Sequence, residues 1–135
     1  AARYCLQNDT NLEEAMVWVD QSTSMSSGFS NLQVKAGLLA KAGKMEEAKK
    51  VMDAALPTAN AFQLNQNGYQ LLGSGGIEKA IEVFSMNVKK NADHQFIWGF
   101  TDSLGEAYLK LGDKKTALKH YKATRKLAPE NQYAY

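Results

Sequence analysis

The chain has 135 residues, 44% of them apolar and 22% charged, with a net charge of +2. That composition fits one compact domain or a short solenoid with a core of its own; so small a charge does not by itself imply nucleic acid or a membrane surface, and neither is expected as partner. Its single cysteine, Cys5, excludes an intrachain disulfide framework and a multi-cysteine metal site, and no stretch approaches the roughly 20 apolar residues of a membrane span.

Helices are expected almost throughout. The first residues read as the tail of one helix and Asn11–Gln21 as the next, with Asn11 as N-cap and Glu13 and Glu14 well placed for the helix dipole. Residues 23–28 form a polar loop. Further helices are expected over Phe29–Ala42, Lys44–Leu56, Ala61–Leu72, Ile77–Lys90, Gln95–Leu111 and Asp113–Leu127. They are separated by Gly43, Pro57, the run Gly73–Gly76, a connector at Asn91–Asp93 and a Gly112–Asp113 turn. Asn131–Tyr135 would begin one more helix. The chain opens on AARYCL, without Met and inside an expected helix, so a piece of a longer protein is expected. There is no charged-then-apolar leader, and the compartment stays open.

Those helices repeat. Ala15, Ala48, Ala80 and Ala117 stand early in every second helix, 33, 32 and 37 residues apart. Twelve residues before the last three lie Ala36, Gly68 and Gly105; the same offset before Ala15 falls on Arg3, so the first unit is degenerate or cut short. Three residues beyond these positions come Leu6, Leu39, Leu71 and Tyr108. Small residues let two antiparallel helices approach within ~8–10 Å, and neighbouring pairs cover what one pair leaves exposed. The expectation is that Gly or Ala on the first helix meets Ala on the second. The last interval is longer because of three extra residues near His94–Phe96.

In Ser103–Pro129, the residues Leu104, Gly105, Tyr108, Ala117, Tyr121 and Pro129 resemble the tetratricopeptide pattern, a helix–turn–helix unit of ~34 residues. Residues 61–94 resemble it through Gly68, Leu71, Ala80 and Phe84, and 29–60 through Ala36, Leu39 and Ala48. The pattern's early aromatic is replaced by Leu32, Leu64 and Thr101, and its final proline survives only as Pro129. The opening NLEEAMVWVDQS also looks like the C-terminal repeat region of some bacterial proteins of unknown function, where such repeats follow another domain. The resemblance implies an all-α, right-handed α-α superhelix, a solenoid of about three full repeats with a partial one in front. Its parts would be 1–28, 29–60, 61–97 and 98–135.

By that resemblance the first helices line a concave groove that holds a peptide or partner segment. The matching positions are Gln33 in the first full repeat, Phe62, Asn65, Gln66 and Tyr69 in the second, and Asp102 and Glu106 in the third. In chaperone-binding relatives cationic and amide groups there clamp a C-terminal carboxylate; here the positions are neutral or acidic. Asp102 and Glu106, at i and i+4, project together, which suits a basic or polar extended segment with an apolar anchor. Lys115, Lys119, Lys122 and Lys126 share one face of the last helix and could meet an acidic partner or polyanion; a solvated outer face is the plainer account.

Catalysis finds little in the sequence. His94 and His120 lack a second ligand at i+3 or i+4, and Cys5 lacks a nearby base. Glu13/Glu14 and Glu46/Glu47 are adjacent and so diverge around a helix, and Gly73–Gly76 lacks the spacing and Lys-Ser/Thr of a phosphate loop and reads as a flexible turn. The expectation is a non-enzymatic, cofactor-free interaction scaffold that holds a partner segment or docks an adjacent domain. The alternative is a structural module that self-assembles through uncapped ends, where Tyr4, Met16 and Trp18 stand at the front.

Overall fold

A computed structural model describes residues 11–25 and 28–130. The expectations resting on Arg3, Tyr4, Cys5, Leu6 and a helix from Asn131 lie outside the described residues. Among those described there are seven α-helices, one 3-10 turn and no strand: α1 (Leu12–Met25), α2 (Phe29–Lys41), α3 (Met45–Ala55), the 3-10 turn Leu56–Thr58, α4 (Ala61–Gly73), α5 (Ile77–Lys90), α6 (Ile97–Leu111) and α7 (Lys114–Leu127). The protein is all-α. It divides into two compact units, Ala1–Ala59 and Asn60–Tyr135.

Most helix boundaries follow local chemistry. Three turns share one hydrogen-bond scheme. The N–H of Lys44 donates to the Leu39 carbonyl (2.9 Å), Gly76 to Leu71 (2.8 Å) and Asp113 to Tyr108 (3.0 Å). In each, the preceding glycine (Gly43, Gly75 or Gly112) takes a left-handed φ of 81°, 89° or 95°. This six-to-one closure satisfies the last helical carbonyls, and glycine adopts the required φ without a Cβ penalty. Gly73–Gly76 is thus a hydrogen-bonded stop, tighter than the flexible turn expected. At the other ends, Asn60 and Gln63 cap α4 reciprocally at 2.9 Å, and the Asp113 carboxylate accepts from the Thr116 N–H (3.0 Å) and hydroxyl (2.6 Å).

Three boundaries differ from expectation. α1 runs on to Met25 through residues placed in a loop, because Ser and Thr do not stop a helix unaided. α3 stops at Ala55 and tightens into the 3-10 turn that carries Pro57, closed by Thr58 Oγ1 on the Ala55 carbonyl (2.7 Å). α6 begins at Ile97, since the Phe96 N–H donates to His94 Nδ1 (3.0 Å).

Packing follows the small residues, with rings added over two of them. Ala80 and Ala117 are buried, and the group nearest to each first-helix glycine is an aromatic ring. Gly68 lies under the Phe84 ring, where a Cβ would come 2.3 Å from Cε1, and Gly105 lies under Tyr121, at 3.0 Å. The aromatic sits one turn beyond each alanine, so the glycine also makes room for a ring that the spacing of small residues did not reveal. In the first unit Ala36, Leu39 and Ala48 cluster with Val51 and Met52, while Ala15 and Val19 pack on Val34 and Leu38. The second unit gathers Leu72, Ala80, Phe84, Leu104 and Ala107. Asn87, fully buried, donates from Nδ2 to the Ala61 carbonyl (2.9 Å) and accepts from Asn91 Nδ2 (2.7 Å), fastening α5 to the start of α4.

Candidate functional site

Within the second unit α4 and α6 lie side by side, and the contacts between them are aromatic and polar. Phe62, on the first turn of α4, meets Phe100 of α6 with ring centroids 5.8 Å apart, and His94 and Phe96 of the connector at 5.5 and 5.8 Å, all edge to face. His94 meets Phe100 at 5.2 Å. Two turns along α4, the Tyr69 hydroxyl donates to Glu106 Oε2 (2.9 Å), with Ser103 Oγ as a second acceptor at 3.1 Å. The Ser103 proton goes to the Gly99 carbonyl (3.0 Å). The Tyr69 ring leans on Phe84 at 5.2 Å. These rings are held in place, yet Phe62 stays 56% exposed, Phe96 41% and Tyr69 38%.

The electrostatics of this surface are one-sided. Burial raises the Asp102 pKa above the usual carboxylate value, and the Glu106 charge raises it further. Neither carboxylate forms an ion pair among the described residues. Burial likewise raises the phenols of Tyr69 and Tyr121, with the Asp102 and Glu106 charges adding to both. Tyr121, on α7, has its ring over Gly105, the residue before Glu106, while Tyr69 reaches Glu106 from α4. Asn65, between Phe62 and Tyr69 in sequence, has its Oδ1 enclosed and without a hydrogen-bond partner.

Of the residues singled out from sequence, Phe62, Asn65, Gln66 and Tyr69 belong to α4, and Asp102 and Glu106 to α6, all in the second unit. Tyr69 and Glu106 are in direct contact. Gln33 is half-buried on α2 of the first unit. Sequence reasoning did not place His94, Phe96, Phe100 or Tyr121 at this surface. The register lengthening near His94–Phe96 was the available signal, because the added residues supply two of the four clustered rings. Lys115, Lys119, Lys122 and Lys126 are exposed along a shallow hollow on α7 that also takes in Thr116, Leu118 and Ala123. His120, its pKa lowered by burial and by Lys119, stacks on Tyr108 at 5.3 Å.

A second hollow, of about 760 Å³, opens in the first unit over Leu12, Met16, Leu38, Leu39 and Val51. Asp20 and Lys35, paired at 2.9 Å, stand at its rim. No group of three or more His, Cys, Asp or Glu side chains among the described residues could hold a metal ion. No helix there is long and apolar enough to cross a membrane. Compared with models of known protein families the chain matches none, and no curated protein matches it.

Proposed function

We propose that this chain is a non-enzymatic protein-interaction scaffold of tetratricopeptide type, whose helical hairpins stack as a right-handed superhelix. In this reading the surface shared by α4 and α6 holds an extended segment of a partner protein. The observation that carries it is the fixed aromatic surface around Phe62. A ring held by three neighbours yet more than half exposed keeps apolar area in water, and rigid exposed aromatics are what binding surfaces use as anchors. The three matching turns and the glycine-under-ring packing support the repeat reading.

Peptides selected on the intact chain from a random linear library should lose at least about tenfold in affinity for Phe62→Ser, with the helical circular dichroism unchanged. Binders indifferent to Phe62→Ser, or a library that yields none, would contradict the proposal. Self-assembly is the second reading, favoured by the exposed leucines Leu109, Leu111, Leu118 and Leu127 on α6 and α7. A mass that grows with concentration in sedimentation would mark it.

A further inference from the structure

The same surface carries information about what its partner must contain, and the following rests on the interaction reading above. Three features converge. Asp102 and Glu106 project from one face of α6, partly withdrawn from water, with no cation near enough to offset them. Two like charges in that relation destabilise a helix, so the arrangement is a cost in the free chain. Two tyrosines are close by: Tyr69, fixed against Phe84 and hydrogen-bonded to Glu106, and Tyr121, with its ring over Gly105. Finally, the hydrogen-bonding capacity left over is of one kind. The Tyr69 proton is already directed at Glu106 and Ser103, while both carboxylates have lone pairs to spare.

A site with surplus acceptors, negative charge and nearby aromatic rings is complementary to a group that is all donor, cationic and flat. Guanidinium has five N–H donors and no acceptor, meets carboxylates in its own plane and stacks on aromatic faces. An ammonium satisfies the charge but not the planarity. Two turns of α4 separate Phe62 from Tyr69, about 10 Å at helical rise, which an extended peptide covers in about three residues. We infer that the surface binds an extended partner segment carrying an arginine, seated on Asp102 and Glu106 near Tyr69 and Tyr121, with an apolar side chain three residues away on the Phe62 ring cluster.

The test uses acetylated, amidated hexapeptides with Leu and Arg three apart in both orders, titrated into the whole chain by fluorescence anisotropy. One order should bind. Exchanging its Arg for citrulline, flat but uncharged, should weaken binding at least about tenfold, and Lys should fall between the two. The isosteric pair Asp102→Asn with Glu106→Gln should cause the same loss while leaving the circular dichroism intact, and raising the salt should weaken the wild type more than that variant. Equal affinity for the Arg and citrulline peptides, with Phe62→Ser still abolishing both, overturns the arginine seat and leaves the aromatic surface standing. If neither order binds by about millimolar concentration, both the seat and the interaction reading fall.

Discussion

Asp102 is the residue at which the proposed function and stability pull apart most clearly. Its carboxyl is held above its ordinary value by burial and by Glu106, so ionisation is disfavoured in the folded chain. A carboxyl raised on folding contributes stability that is fully present below its unfolded pKa, about 4, and is lost as the pH rises through the folded value. Asp102→Asn removes that loss. It should therefore melt above the wild type at pH 7, with the gap closing below about pH 4. A gap of the same size at both pH values, or one of opposite sign, would show that the native chain does not strain this charge. Natural chains commonly tolerate such a penalty where a binding surface requires it. The sequence reveals the pair through its i, i+4 spacing; its partial burial and the nearby Tyr69 and Tyr121 come from three helices and were not legible there.

Helix pairs are governed by the glycines under rings. Phe84 occupies the space a Gly68 side chain would need, with 2.3 Å to the nearest ring carbon, and Tyr121 leaves 3.0 Å above Gly105. Gly68→Ala must displace a ring that is itself buried and supports Tyr69, whereas Gly105→Ala asks a half-exposed tyrosine to shift by a few tenths of an ångström. Urea denaturation should show a loss of about 1–3 kcal/mol for Gly68→Ala and a smaller one for Gly105→Ala. The reverse order would mean that the crossing of α4 and α5 is looser than its geometry. At this scale the sequence is informative, because small residues at a fixed interval are a direct imprint of close approach. What it could not supply is the identity of the opposing group: Ala80 and Phe84 lie one turn apart on α5, and spacing alone does not say which one covers Gly68. The end of α1 was illegible for a similar reason, since a run of Ser and Thr permits helix and loop alike.

For the whole molecule, the all-helical character and the hairpin period were readable from apolar spacing and from glycine at the turns. The ring cluster was not, because it forms from α4, α6 and a lengthened connector that no local pattern links. That cluster, with the carboxylates that α6 carries beside Tyr69, is what supports the proposal of a partner segment. Amide chemical-shift mapping of the whole chain, titrated with the Leu- and Arg-bearing hexapeptide, tests this most directly. The account predicts shifts gathered on the stretches around Phe62–Tyr69 and Asp102–Glu106 and at Tyr121, with the outer lysines Lys115, Lys119, Lys122 and Lys126 unmoved. Shifts centred on those lysines, or spread evenly over both units, would contradict it.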